Sequence, residues 1–321
     1  MEGAMDVIMS GEATPSQIGG FITGLRMKGE TVDEISGAAA VMRKKATPIE
    51  PVLKNGDLVI DTCGTGGDSS GTFNISTASA LVAAGAGAIV AKHGNRSISS
   101  KCGSADVLEA LGVVIDINPE RIAQCIEKVG IGFLFAPCLH GAMKHAIGPR
   151  KELGIRTIFN ILGPLTNPAG AEAQLLGVYD PSLCMVMAEV LKSLGSVRAM
   201  VVHGSGLDEI SISGPTDLAM LDDGIVSRRK IVPEDLGIER ANREDLRGGD
   251  AHENASIIRD ILSGETGPKR DVVIVNSAAS LMVAGIAIDF TDGIEKASDS
   301  IDSGRATGKL EELISCTGGT H

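Results

Sequence analysis

Asp61-Thr62-Cys63-Gly64-Thr65-Gly66-Gly67-Asp68-Ser69-Ser70-Gly71-Thr72-Phe73-Asn74-Ile75-Ser76-Thr77 joins two apolar runs. Leu58-Val59-Ile60 before it reads as a short buried strand, and Ala78-Ser79-Ala80-Leu81-Val82-Ala83-Ala84 after it reads as a helix. A glycine-rich turn between strand and helix leaves backbone N–H groups free of Cβ obstruction and aimed at one spot. The helix dipole adds partial positive charge there. The stretch is therefore read as an anion cradle, with phosphate the natural anion. Asp61 and Asp68 would repel a bare phosphate; they fit a site that also takes a hydroxylated sugar or a divalent cation. Gly64-Thr65-Gly66-Gly67 is too compact for a dinucleotide fingerprint and lacks the Gly-Lys-Ser/Thr of a P-loop. Glycines in such a turn can serve the backbone alone, but Thr72, Asn74, Ser76 and Thr77 are more polar groups than one helix cap needs.

Outward from this unit, strand and helix alternate. Strands are expected at 58–61, 88–91, 113–116, 132–135, 174–179, 198–203, 218–221 and 272–275, with helices at 105–111, 119–129, 183–194, 253–262 and 277–288. That alternation predicts an α/β fold with a mainly parallel central sheet. Ligands on such sheets bind beyond the carboxyl ends of the strands. Three candidate loops lie there: the glycine turn, Lys92-His93-Gly94-Asn95-Arg96, and His203-Gly204. The segment 155–168, punctuated by proline and glycine, breaks the alternation and reads as a connection returning to the helical region.

Toward the N-terminus the pattern is helical. Thr14 and Thr31 each begin a capping box, closed by Gln17 and Glu34, and Pro15 sits at a first helical position. Ile18, Phe21, Ile22 and Leu25 share one face, as do Ile35, Ala39 and Met42. A small all-helical domain is expected at 1–47, with a returning segment near 138–162. The proline-bearing stretch 44–55 reads as a linker or hinge, with the hinge set at 48–56 and the large α/β domain at 57–321.

Composition bounds the rest. The 321 residues are 43% hydrophobic but only 2% aromatic, so the core must be built from Ala, Val, Ile, Leu and Met. A formal charge of −12 makes a general nucleic-acid binder a poor reading. A polyanionic small molecule would need a local basic pocket and a metal. Cys63, Cys102, Cys125, Cys138, Cys184 and Cys316 form no C-x-x-C pair and read as reduced thiols. No signal peptide or bilayer-length apolar run is visible, which makes the cytoplasm the default location and a membrane partner unexpected.

Chemistry concentrates in three places. Lys92 to Ser104 gathers Lys92, Arg96 and Lys101 with an amide and hydroxyls, the groups that bind a phosphorylated ligand; a solvated basic loop is the alternative, against which Gly94 and Gly103 speak. Asp208-Glu209 offers hard oxygens for Mg²⁺ shared with substrate phosphates; alone, such a pair is also ordinary surface charge. Arg150 could fork onto a carboxylate or lie on a helix surface. His140 and His145 are five apart, which is not a helical zinc spacing. No Gly-x-Ser-x-Gly elbow or His-activated cysteine is present, so covalent catalysis is not favoured.

Together, Asp-Thr-Cys-Gly-Thr-Gly-Gly-Asp, Asn-Ile-Ser-Thr, Lys-His-Gly-Asn-Arg-Ser-Ile-Ser-Ser, Gly-Ser-Ala-Asp-Val-Leu-Glu-Ala-Leu-Gly and Glu-Leu-Gly-Ile-Arg-Thr-Ile-Phe-Asn-Ile-Leu-Gly-Pro-Leu-Thr-Asn-Pro occur in order. Over nearly its whole length the chain resembles the anthranilate phosphoribosyltransferase family, of nucleoside-phosphorylase-like fold. The resemblance implies transfer of phosphoribosyl from phosphoribosyl pyrophosphate to anthranilate with Mg²⁺, in tryptophan biosynthesis. It implies that Gly64, Gly67, Asp68, Thr72, Asn74, Ile75, Ser76 and Thr77 line the diphosphate site. Ser76, Asp208 and Glu209 would hold magnesium. Lys92, His93, Gly94, Asn95, Arg96, Ser97, Ile98, Ser99, Ser100 and Ser104 would close over the donor, while Gly64, Asn95 and Arg150 would meet anthranilate. A homodimer through the small domain is implied as well.

Two departures stand out. Cys102 occupies a position where the family motif often has Ser. The chain also begins in what resembles the middle of the family's second helix, which bears on the dimer contact. Two alternatives stay open. A pyrimidine nucleoside phosphorylase of the same fold would phosphorolyse uridine. A nucleic-acid-binding paralogue would show salt-dependent DNA binding, against which the charge and the intact Asp208-Glu209 both speak.

Overall fold

The computed structural model describes residues 1–54, 56–68, 70–97 and 101–319. Its centre is the strand–turn–helix unit around the glycine turn. Seven strands form one sheet: β1 Val59–Gly64, β2 Ile89–Gly94, β3 Ile131–Phe135, β4 Ala173–Gly177, β5 Arg198–Gly204, β6 Thr216–Asp222 and β7 Ile225–Ile231, in the order β3-β2-β1-β4-β5-β6-β7. β1 to β5 are parallel, and β6 and β7 return antiparallel. The chain winds outward from β1 in one direction through β2 and β3, then in the other through β4 and β5. The reversal falls between β1 and β4, paired from Ile60↔Ala173 to Gly64↔Gly177. A crevice opens at the carboxyl ends of such a pair. β7 closes the far edge, and its exposed Arg228, Arg229 and Lys230 discourage edge pairing.

The shortage of aromatics is met by close packing of small residues. The helix Ile75–Gly85 is buried along almost its full length, against the helices Pro268–Val283, Phe290–Asp302 and Arg305–Thr317. A Cβ on Gly85 would lie 2.7 Å from the Ala306 nitrogen, so only glycine permits this approach.

Two expected strands are absent. Val113 and Ile115 are buried while Val114 is exposed, which produces the alternating pattern read at 113–116. The segment has no ladder partner; the Val114 N–H donates instead to Thr317 Oγ1 at 3.1 Å. Val272, Val273, Ile274 and Val275 lie inside the helix Pro268–Val283, all buried. A short apolar β-branched run cannot be distinguished from a helix buried on every side by periodicity alone, and this helix is packed all round. β7 and the helices Phe290–Asp302 and Arg305–Thr317 were not anticipated.

The N-terminal helices are Glu2–Met9, Pro15–Lys28 and Val32–Lys45, and both expected capping boxes are formed. Met5, Ile18, Ile22, Ile35 and Met42 share one buried cluster with Ala146 and Phe159 of the helices Lys144–Leu153 and Phe159–Leu162. The same cluster takes in Met187 and Leu191 of the helix Leu183–Ser193 and Leu176 and Val201 of the sheet. The linker is pinned at two points: Thr47 N–H to the Leu139 carbonyl (2.9 Å) and Ile49 N–H to the Pro168 carbonyl (3.0 Å).

Candidate active site

Three loops meet at the carboxyl ends of β1, β2 and β5. The first follows β1. Gly66, Gly67 and Gly71 adopt φ of 65°, 76° and 69°, a left-handed backbone that side-chain-bearing residues avoid. The Thr65 N–H donates to the Gly177 carbonyl at 2.9 Å, and the Thr65 hydroxyl accepts from the Tyr179 N–H at 3.1 Å, which moors the loop to the end of β4. The Gly66 N–H donates to Asp208 Oδ2 at 2.8 Å.

Glycine at Gly64 and Gly177 is a matter of space. A Cβ on Gly64 would come within 2.3 Å of Asp208 Oδ2, and one on Gly177 within 1.6 Å of the Asp208 carbonyl. The loop after β5 therefore lies directly on the ends of β1 and β4, and this brings Asp208-Glu209 to the glycine turn. The Asp208 N–H donates to Asp68 Oδ2 at 3.4 Å. Burial, then the neighbouring Asp68 charge, pushes the Asp208 carboxyl up to about 7. Burial, then Asp208, drives Glu209 well above the ordinary range, though Lys92 and the Ser76 N–H oppose the shift. Clustered, partly desolvated carboxylates that resist ionisation beside one another are a donor set for a hard divalent cation. Among the described residues no group of three or more His, Cys, Asp or Glu can hold an ion unaided. Asp208 and Glu209 side by side do supply the hard carboxylate oxygens of which Mg²⁺ takes one or two, the rest of its shell being substrate oxygens and water.

Beneath the turn runs a buried polar spine. Asp61 is fully buried and accepts from the His93 N–H (3.0 Å) and Asn167 Nδ2 (2.8 Å). Asn167 also donates to the Ala91 carbonyl at 2.7 Å. This corrects the reading of Asp61 as a sugar or cation ligand: its carboxylate faces the protein, cross-bracing β1, β2 and the Gly163–Pro168 stretch. Lys92 is 2% exposed; its Nζ donates to the Thr62 carbonyl and, at 3.1 Å, to Ser76 Oγ. Burial lowers its pKa, and Asp61, Glu209 and Asp208 work against that. Lys92 thus places cationic charge under Ser76 and the acidic pair.

His93 and His140 face each other with Nε2 atoms 3.1 Å apart. Burial takes His93 down to about 3 and His140 down to about 4, so both rings are neutral and one donates to the other. His203 bonds the Val178 carbonyl and the Gly206 N–H, and shapes the β5 loop rather than offering a free base.

The helix-facing residues of the turn divide by orientation. Ile75 and Thr77 are 1% exposed and turn into the core, while Thr72 and Ser76 stay partly exposed. The Asn74 amide is engaged by Cys102 and Asn254, with Asn254 Nδ2 donating to Asn74 Oδ1 at 2.9 Å. Asn74 ties the turn to the second loop there, and Cys102 Sγ donates to its Oδ1 as a serine hydroxyl would.

In the second loop, Gly94 is crowded by Ser104 and Phe133, and the Asn95 carbonyl accepts from the Ala105 N–H and Ser104 Oγ. Arg96 is held by Glu109 and Asp106, which raise its pKa, and lies 5.5 Å from the centre of the Phe135 ring. Its charge is engaged in shaping the loop, where the sequence suggested a phosphate ligand. Asp106 also accepts from the Ser97 and Gly103 N–H groups. Ile98, Ser99 and Ser100 lie outside the described residues. Arg150 is half-buried over the Phe159 ring at 5.1 Å, and its pKa is lowered by burial.

Sequence reasoning gave no role to Asn167, Tyr179 or Arg156. Asn167 precedes a proline in the irregular 155–168 segment, where an amide that cannot cap a helix invites the question of what it braces. Arg156 and Tyr179 are distant in sequence and carry no local signal.

Comparison with known proteins agrees with this architecture. Residues 1–46 match the model of the glycosyl transferase family, helical bundle domain, and residues 56–307 that of the glycosyl transferase family, a/b domain. The chain is 59% identical to the anthranilate phosphoribosyltransferase of Thioalkalivibrio sulfidiphilus, over 99% of this chain and 93% of that protein. It is similar to the crystal structure of anthranilate phosphoribosyltransferase from Thermus thermophilus, with a TM-score of 0.94, 42% identity and coverage of 98% and 94%. The Saccharomyces cerevisiae enzyme in complex with phosphoribosyl pyrophosphate and Mg superposes with a TM-score of 0.89 at 29% identity, covering 98% of this chain and 92% of that one.

Proposed function

The chain belongs to the anthranilate phosphoribosyltransferase family, and from that premise we propose how its own residues carry out the reaction. The reaction transfers the phosphoribosyl group of phosphoribosyl pyrophosphate to the anthranilate amine, giving N-(5-phosphoribosyl)anthranilate and pyrophosphate, the second step from chorismate toward tryptophan. The observation that carries the assignment to this crevice is the convergence of Asp208 on Gly64, Gly66 and Gly177, which puts acidic and N–H groups at one strand-end junction.

In this reading the diphosphate rests against the Gly64–Asp68 backbone, near Thr72 and Ser76, with the helix Ile75–Gly85 pointing its N-terminus at it. Ser76, Asp208 and Glu209 would hold Mg²⁺ here, and the yeast relative, in complex with phosphoribosyl pyrophosphate and Mg, supports a magnesium-bearing donor. The ion's contribution is to neutralise charge on departing pyrophosphate. Lys92 balances the acidic pair from below, and Asn95, Ser97 and Ser104 of the second loop cover the donor. Arg150 forks onto the anthranilate carboxylate, with Asn95 and Gly64 beside the ring. The aryl amine is a neutral nucleophile, so the chain need supply no strong base. That agrees with a site whose paired histidines are turned toward each other. Catalysis then rests on positioning and preorganised charge. A homodimer through the N-terminal helices completes the reading.

The test is to follow anthranilate fluorescence with phosphoribosyl pyrophosphate, with and without Mg²⁺. A Mg²⁺-dependent decrease is expected. Loss of fluorescence at an equal rate in excess chelator would overturn the metal assignment, and no loss with folded protein would overturn the acceptor.

A further inference from the structure

Arg156 lies between the two halves of the site. It follows Arg150 by six residues and occupies the turn between the helices Lys144–Leu153 and Phe159–Leu162. Its guanidinium sits 4.2 Å from the centre of the Tyr179 ring, and its Nη2 donates to the Gly67 carbonyl. A Cβ on Gly67 would lie 3.5 Å from that Nη2. Tyr179 in turn donates its N–H to Thr65 Oγ1. The turn is thus moored on one side by backbone contacts to β4 and on the other by an arginine from the acceptor-side segment.

The physical consequence follows from peptide geometry. Gly66 and Gly67 are the most permissive residues of the loop, and both take left-handed φ. A trans peptide points its carbonyl and the following N–H in opposite directions. Holding the Gly67 carbonyl on Arg156 therefore fixes the direction of the Asp68 N–H, away from Arg156. Among the described residues no backbone carbonyl accepts that N–H. An N–H held in advance and taken by no carbonyl is what an incoming diphosphate oxygen uses, and less ordering then remains to be done on binding.

We propose that Arg156 is a positioning residue for the phosphoribosyl donor. Stacked on Tyr179, it clasps the Gly66–Gly67 turn in the shape that receives the diphosphate and ties that turn to the segment bearing Arg150. This rests on the transferase reading of the site. It differs from a plain structural role in one respect: removing the guanidinium should weaken donor binding selectively, without a matching loss of folding or of acceptor binding.

The experiment uses full-length wild type, Arg156→Ala and Arg156→Lys. Titration calorimetry with phosphoribosyl pyrophosphate and Mg²⁺ measures donor affinity independently of turnover. Steady-state KM values for both substrates and thermal midpoints accompany it. Arg156→Ala is expected to weaken donor affinity roughly tenfold, in the range of a lost hydrogen bond to a charged group. The anthranilate KM should stay within about twofold, and the midpoint should move little because Arg156 is exposed. Arg156→Lys should recover part of the loss, since an ammonium can donate to the carbonyl but cannot stack as a planar fork. Unchanged donor affinity in Arg156→Ala would overturn the proposal, as would equal rises in both KM values. A wild-type protein that binds the donor more tightly than Arg156→Ala yet turns over no anthranilate would sink the transferase reading and support the clasp.

Discussion

At the scale of single residues, the site separates groups that face the crevice from groups that hold them. Arg150 is partly desolvated over Phe159. Arg150→Ala should raise the KM for anthranilate about ten- to hundredfold, the worth of a hydrogen-bonded charge pair, and leave the donor KM nearly unchanged. Separate titration of the two substrates checks this, and the reverse pattern would reassign the arginine. His93 and His140 carry a pH signature. Burial depresses both, to about 3 and about 4. The unfolded chain therefore binds more protons than the folded one between its ordinary histidine range, near 6.5, and those values. The pair's contribution is present above about 6.5 and is lost as pH falls toward 4 and 3. Replacing His140 with Gln should flatten the acid limb of a urea-midpoint profile between about pH 6 and 4; an unchanged slope would show that the rings titrate normally. Part of this layer was legible in sequence, because Asp208-Glu209, Lys92 and Arg150 are chemically conspicuous at strand ends. The orientation of Asp61 and the use of Arg96 were not. An acid or a base in a loop looks alike whether it faces ligand or protein, and only Asn167, Asp106 and Glu109, reached through the fold, decide it.

At the scale of elements, the decisive contact is the β5–β6 connection lying on the ends of β1 and β4. Gly177 does not need a left-handed φ; it needs the absence of a side chain. Gly177→Ala must displace the Asp208 backbone, and should cost about 1–3 kcal/mol of stability in the manner of other overpacked sites. It should also raise the Mg²⁺ concentration needed for half-maximal activity. Full stability and an unaltered Mg²⁺ profile would mean that the loop yields freely. The alternation of strands and helices was readable because most elements announce themselves by caps and turn residues. The errors came where tertiary context overrode local pattern: Val272 to Val275 are strand-like in composition but lie in a helix enclosed on all sides, and Val113 to Ile115 alternate without a neighbouring strand.

At the scale of the whole molecule, the N-terminal helices do not keep a core of their own. Met5, Ile22 and Met42 belong to the same buried cluster as Leu176, Val201 and Leu221 of the sheet. The opposite face of the sheet is closed by the helices Ile75–Gly85 and Pro268–Val283. Sharing one cluster predicts that the helical part and the sheet unfold together, as a single calorimetric transition; two well-separated transitions would show that the helices form an independent unit. Among the described residues no helix is long and apolar enough to cross a membrane. Among the described residues the sheet order reverses its winding at β1 and β4, and all three candidate loops approach that point. The central claim is thus positional. A crystal structure of the protein with phosphoribosyl pyrophosphate and Mg²⁺ tests it most directly. The account predicts diphosphate oxygens on the Gly64–Asp68 backbone and a cation about 2.0–2.1 Å from an Asp208 or Glu209 oxygen. A donor bound away from the β1–β4 junction, or a cation that touches neither carboxylate, would contradict it.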